Sequence, residues 1–492
     1  MVVADSESTP PGRSIYGEIL KGSGLYSLPL MAQRLVGFIL LPIYTRYLTT
    51  ADYGIIELLD QAVGLITLLL GANFSAALSY FYFQDESEDW RKRTVGTTIL
   101  GSVLLGLACA ALGISTASLL SRAVFGTPEN AYYFRILFAG VAVTFPLEAV
   151  CSWLRTVNAA GLFALTSMVR LILTAGLTTA LLIGAGWRVT AVLSSSPIVT
   201  AFCAVLLLAF CRVRIGPFRF DPELFGKLFR YTAPMALTGL AFFVLHFGDR
   251  FVLKSFTSLE QVGIYALGYK IGMLVAIAHG TFNTYWSSQV YRILKLPDGN
   301  GIFTRVFTYM NLFLLFLVVG ITVFARPATR ILTTPAFYGA AALAPLIAGA
   351  YYFRAVGDFF RVVFYVKGRP GVDAVVNWIG AFVCAVCYFV FIPLWGVWGA
   401  AAATLVAFLL LLFILAWWGF RMMPFRLEGS RLVKLAIAAM VPLAISYLVR
   451  PEALLRQIGL GITLALLFPT LLFVFRFPTP GEWLRVRGLL RL

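Results

Sequence analysis

Long runs of apolar residues, separated by short polar connections, recur from residue 25 to residue 476. A helix needs about 20 apolar residues to cross roughly 30 Å of hydrocarbon. Runs of that size lie near 25–46, 55–83, 94–120, 131–154, 161–184, 189–211, 231–253, 262–291, 302–325, 334–365, 372–393, 395–420, 432–449 and 456–476. They predict an all-α polytopic membrane protein with about fourteen transmembrane helices. Segments 94–120, 189–211 and 395–420 carry almost no charge, whereas Pro335 and Pro345 interrupt 326–365. The runs are apolar all round rather than alternating, which excludes a transmembrane β-barrel. The polar start, Met1 to Ser14, and the length of the first run argue against a cleaved secretory signal and for a first membrane helix.

Composition agrees with the pattern. Hydrophobic residues make up 60% of the 492 and charged residues only 12%, against roughly a quarter charged in soluble domains. The net charge of +17 changes the picture only through its placement. Lysine and arginine concentrate in the even-numbered connections and the tails, as in Arg91-Lys92-Arg93, Arg212, Arg214, Arg219, Lys227, Arg421, Arg426, Arg485 and Arg491. The positive-inside rule then puts both termini in the cytoplasm. Charge scattered over many loops argues against a nucleic-acid partner.

An internal repeat divides the chain. Ser27-Leu-Pro-Leu-Met-Ala, Tyr44-Thr-Arg-Tyr-Leu and Ala51-Asp-Tyr-Gly-Ile are echoed by Thr232-Ala-Pro-Met-Ala-Leu, Gly248-Asp-Arg-Phe-Val-Leu and Gln261-Val-Gly-Ile-Tyr. Pro29 matches Pro234, Arg46 matches Arg250 and Gly54 matches Gly263, at offsets of 205, 204 and 209. Six helices separate the copies, so both enter the membrane the same way: a parallel repeat about an axis along the membrane normal. The expected organisation is an N-terminal lobe over 1–211, an amphipathic surface linker over 212–230, a C-terminal lobe over 231–420, and two extra helices with a tail over 421–492. Asp221-Pro222-Glu223 is a helix start. Phe225, Leu228 and Phe229 form the apolar face of a short helix expected on the cytoplasmic surface. A second such patch is expected in the tail from Trp483 to Leu492.

A charge at the bilayer centre costs roughly 2.5–3.5 kcal/mol on insertion scales, so it faces a cavity or a partner. The candidates are Arg34, Asp60, Arg135, Glu148, Arg170, Asp249, Arg250, Lys270, His279, Arg354, Asp358 and Arg361. Arg135 and Arg250 lie near helix ends and are expected to snorkel, with Asp249 paired locally. Arg354, Asp358 and Arg361 stand at i, i+4 and i+7, as a structural ion pair or as part of a cavity. Glu148 is either a proton or sodium site or a counter-ion to an arginine. His279 fits a packing residue better than a relay. The excess of cations suits an anionic substrate, and the arginine fork matches phosphate oxygens. The six cysteines, including Cys384 and Cys387 as CxxC inside a run, read as small apolar residues.

The Lys21-Gly-Ser-Gly-Leu-Tyr opening, Leu41-Pro-Ile-Tyr-Thr-Arg-Tyr-Leu-Thr, Ala51-Asp-Tyr-Gly, Asp249-Arg-Phe-Val-Leu and Val262-Gly-Ile-Tyr resemble the polysaccharide biosynthesis flippases. These are the O-antigen and exopolysaccharide translocases of the multidrug/oligosaccharidyl-lipid/polysaccharide exporter superfamily. The resemblance runs from about residue 14 to the last span. It implies two six-helix lobes in a V, with two further C-terminal helices. It also implies a non-enzymatic flippase of the bacterial inner membrane that moves undecaprenyl-pyrophosphate-linked oligosaccharide to the outer leaflet. Polysaccharide polymerase and glycosyltransferases are the expected protein partners. Related lipid II flippases carry cavity cations on helices 1, 2 and 8. Arg34 and Lys270 sit on helices 1 and 8 here, but helix 2 offers Glu57 and Asp60, which argues against lipid II itself.

The resulting expectation is alternating access. Arg34 and Lys270 hold the pyrophosphate, Arg170, Arg354 and Arg361 assist, and Glu148, Asp358 or Asp60 serves as counter-ion or takes a proton or sodium ion. No GxxxxGK[ST] phosphate loop is present, so no nucleotide or other cofactor is expected. A multidrug exporter of the same superfamily would favour carboxylates in its cavity. A membrane-embedded polymerase or ligase would be expected to carry a large polar outer loop with catalytic residues.

Overall fold

The structure is a computed structural model that describes residues 32, 36–70 and 74–478. The described elements are helical. They comprise α1 (Leu41–Tyr47), α2 (Thr50–Leu70), α3 (Phe74–Tyr82), α4 (Glu88–Ser115), α5 (Ala117–Phe125), α6 (Ala131–Thr156), α7 (Ala160–Gly184) and α8 (Arg188–Ile215). There follow α9 (Pro222–Phe256), α10 (Leu259–Gly272), α11 (Leu274–Ile293), α12 (Gly299–Leu332), α13 (Ala340–Val366), α14 (Pro370–Met422), α15 (Gly429–Leu448) and α16 (Leu454–Val474).

Eleven segments among the described residues are long and apolar enough to cross a membrane. One of them, α14, is two spans in sequence. Pro393 and a left-handed Gly396 (φ 55°) break its 53 residues where runs 372–393 and 395–420 adjoin. With the helical residues of 36–47 and with α2 and α3, the described elements follow the fourteen expected runs. In the region interrupted by prolines, α12 stops at Leu332, a single 3-10 turn covers Pro335–Phe337, and α13 begins at Ala340. Pro335 therefore marks a boundary, whereas Pro345 lies inside α13, which continues through it.

The linker departs from expectation. Asp221 caps α9 as its sequence predicts: Oδ1 accepts from the backbone N–H of Glu223 (3.0 Å) and Leu224 (3.1 Å). But α9 then runs unbroken for 35 residues, about 52 Å at 1.5 Å per residue. Neither Thr232 nor Pro234 after Arg230 stops it, so the expected short surface helix is the opening of the next span. Its apolar side is covered by protein. Leu224 and Leu228 are buried with Ala77 and Phe81, and the Phe225 ring lies over Gly101, while Phe229 is exposed. The tail patch from Trp483 lies outside the described residues.

The chain forms two compact units, divided within α2 and α9. The first holds residues up to Leu48 and Leu58–Leu240. Its core gathers on α6, where Leu147, Val150, Trp153 and Leu154 pack with Val95, Ile99, Cys203 and Leu207. The second holds Thr49–Glu57 and the chain from Ala241. Its α13 is buried along most of its length, and α15 and α16 cover α12 through Val319, Val323, Leu435 and Phe468.

The repeat glycines Gly54 and Gly263 meet inside this second unit. A Cβ on Gly54 would strike the carbonyl oxygen of Leu259, and one on Gly263 would strike that of Thr50. Each oxygen belongs to the residue four before the opposing glycine. The starts of α2 and α10 thus cross in backbone contact, symmetrically, which requires residues without side chains.

Candidate functional site

Seven charged side chains of the second unit gather in two buried networks. In the first, Arg250 is 2% exposed. Its Nε donates to Glu57 Oε1 (2.8 Å), and its Nη1 donates to Asp249 Oδ1 (2.7 Å) and to the His246 carbonyl (2.9 Å). The guanidinium lies 4.0 Å from the Tyr269 ring centre. The Tyr265 hydroxyl donates to the other Asp249 oxygen. Tyr269 donates to the His246 carbonyl (3.0 Å), and Tyr351 joins the Tyr269 hydroxyl to His246 Nδ1. Arg250 therefore does not snorkel. Its acidic neighbours hold it inward, which the sequence shows only for the adjacent Asp249.

The second network joins α13 to α14. Asp358 Oδ1 lies 3.3 Å from both Arg354 Nε and Arg361 Nη2. Arg361 also reaches Asp373 Oδ1 (2.9 Å) and Asn377 Oδ1 (3.0 Å). Tyr365 donates to the second Asp373 oxygen (2.8 Å). The stripe of Arg354, Asp358 and Arg361 is thus a buried ion-pair network closed by a neighbouring helix. Asp373 and Asn377 escaped the sequence reading because they open a predicted span and look like loop residues. Their i, i+4 spacing was the available signal.

These networks alter the expected charge balance. The two networks and Lys270 together hold four cations, Arg250, Lys270, Arg354 and Arg361, and four carboxylates, Glu57, Asp249, Asp358 and Asp373. The excess of positive charge expected from the spans is absent there, because partners lie on helices remote in sequence. Lys270 on α10 has a different setting. Its Nζ is 2.9 Å from the Tyr53 hydroxyl and 5.4 Å from that ring's centre. Tyr53 is buried on α2, edge-on to Phe337. His279 is buried beside Phe282.

In the first unit, Arg170 of α7 faces Glu148 of α6 at 3.3 Å, with 30% and 48% of their side chains exposed. They line a pocket of about 300 Å³ with Arg155, Thr166, Ser167 and Ser196. Arg135 is exposed near the start of α6, and Asp60 is exposed on α2. Arg34 lies outside the described residues.

This architecture has known counterparts. A lipid II flippase MurJ in an inward closed conformation matches at a TM-score of 0.74 and 16% identity, over 92% of this chain and all of that one. An inward-facing multidrug resistance MATE family transporter matches at 0.67 and 14% identity, over 82% of this chain and 98% of that one. A multidrug/oligosaccharidyl-lipid/polysaccharide superfamily transporter from Pyrococcus furiosus matches at 0.59 and 16% identity, over 85% and 99%. At such identities the likeness is one of fold. No curated protein matches in sequence. The profile of the family described as polysaccharide biosynthesis protein matches residues 19–285, more than half of the chain. The chain therefore belongs to the polysaccharide biosynthesis protein family, and its long apolar helices make it a multi-pass membrane protein.

Proposed function

We propose that this protein flips an undecaprenyl-pyrophosphate-linked oligosaccharide from the cytoplasmic to the outer leaflet of the bacterial inner membrane, exposing its binding site to each face in turn. Lys270 carries the reading. An ammonium within a membrane span is expensive unless it serves a wet site or an anion, and this one is oriented by the hydroxyl and ring of Tyr53. In the proposal its ammonium, held on one side by Tyr53, meets the phosphate oxygens, with Arg34 supplying a bidentate fork. Arg354 and Arg361, already held by Asp358 and Asp373, assist as a fixed positive field more than as direct ligands. A cell interior negative by about 100 mV favours outward movement of each negative charge by roughly 2.3 kcal/mol. Glu148 is the proposed coupling group: protonation or a sodium ion there would release Arg170, which assists the substrate. Asp60 remains a second candidate. Cytoplasmic termini and association with polymerase and glycosyltransferases complete the proposal.

The test is flipping of undecaprenyl-pyrophosphate-linked saccharide by proteoliposomes. Lys270→Ala is expected to lower the rate by at least about tenfold, the effect of losing a charged hydrogen bond to a desolvated phosphate. Normal flipping by a well-folded Lys270→Ala protein would remove this residue from the site. Equal transport of organic cations by the unmodified protein would favour the multidrug reading instead.

A further inference from the structure

A second pocket, of about 430 Å³, opens in the first unit at the helix ends that bear the cationic connections. Arg91, Lys92 and Arg214 line it, against Glu86 and Glu88. Glu88 is taken up by Lys92 at 2.7 Å. Arg91 and Arg214 make no ion pair among the described residues. The Arg91 guanidinium leans over the Tyr82 ring at 5.3 Å, and its Nε is enclosed without a hydrogen-bond partner. Ala159, where α7 begins with no side chain capping it, also lines the pocket, so the first N–H groups of that helix add positive potential. The rest of the wall is apolar, built of Trp153, Leu162 and Phe210, with Trp153 anchored in the buried core.

Two arginines and an uncapped helix start beside an apolar wall match an anion that carries a hydrocarbon chain. Basic pockets between membrane helices are suited to phospholipid headgroups. We infer that this pocket binds an anionic phospholipid of the surrounding leaflet, its phosphate between Arg91 and Arg214 and one acyl chain along Phe210 and Leu162. This site is separate from Lys270 and does not depend on what the protein transports.

Native mass spectrometry of the full chain, titrated with phosphatidylglycerol or phosphatidylcholine, tests it. One phosphatidylglycerol should be retained about fivefold more tightly than phosphatidylcholine, the difference expected from the pocket's net charge of about one. Arg91→Gln with Arg214→Gln should abolish that preference, while Arg212→Gln, which lies outside the pocket, should keep it. Equal retention of the two lipids overturns the inference, as does an unchanged preference in the double variant. Displacement of the lipid by millimolar inorganic phosphate would assign the pocket to a soluble phosphate and also overturn it. The lipid comparison on the unmodified chain decides the matter even where the double variant does not fold.

Discussion

In the second unit Arg250 is enclosed by Glu57, Asp249 and the face of Tyr269. In the first, Arg170 leaves about a third of its side chain accessible and meets Glu148 across a pocket. Both are arginines in apolar helices, and the sequence gives little ground for telling them apart. The difference lies in what surrounds them. A charge with its full set of partners inside protein is part of the scaffold and cannot readily exchange them for a ligand. A charge paired once, at the edge of an open pocket, can. On this view the second unit uses most of its buried charge to fix α2, α9, α10, α13 and α14 against one another, leaving Lys270 in a distinct, phenol-lined setting. The first unit keeps its charges where something can reach them.

The largest expected effect strikes the enclosed network. Arg250→Ala would leave Asp249, which is fully buried, without its guanidinium. Removing one partner of such a pair costs about 3–5 kcal/mol. Thermal unfolding of the detergent-solubilised protein should show a large fall in midpoint. Arg250→Met with Asp249→Asn and Glu57→Gln should recover much of it, since an uncharged cluster of similar volume avoids the stranded carboxylates. A small loss in the single variant would mean that water reaches Arg250, and the contrast between the units would fail.

The glycine crossing comes next. Gly263→Ala puts a methyl group against the Thr50 carbonyl and forces α2 and α10 apart. Overpacking of this kind costs about 1–3 kcal/mol, and Gly54→Ala should cost a similar amount because the contact is nearly symmetric. The two losses are expected to add poorly in the double variant, since either one already opens the crossing. Full additivity would show that the two glycines do not share one contact.

How far the sequence carries depends on which quantity is asked of it. Hydrophobic run length marks the spans, and Pro393 with Gly396 marks the break in α14, because these are local properties. The repeat singled out Gly54 and Gly263 but not their mutual contact. The Asp221 cap is legible, yet the continuity of α9 is not, since Thr232 and Pro234 read as a fresh helix start but lie inside it. Pairings were least legible. Glu57 lies 193 residues from Arg250, and Asp373 opens a span on another helix, so periodicity gives the face of a charge without its partner.

Glu148→Gln sharpens the comparison from the side of the smallest effect. The pair with Arg170 is about half exposed on the carboxylate side, and ion pairs in that setting contribute at most about 1 kcal/mol. Thermal stability should therefore barely move. If Glu148 couples ion binding to transport, the same substitution should flatten the dependence of flipping rate on an imposed proton or sodium gradient while leaving downhill flipping intact. A structural counter-ion would behave differently, with both rates falling together as Arg170 loses its orientation. A fall in stability of several kcal/mol would sink both readings. It would show that this pocket is as closed as the surroundings of Arg250, and that the two units do not differ in how they hold charge.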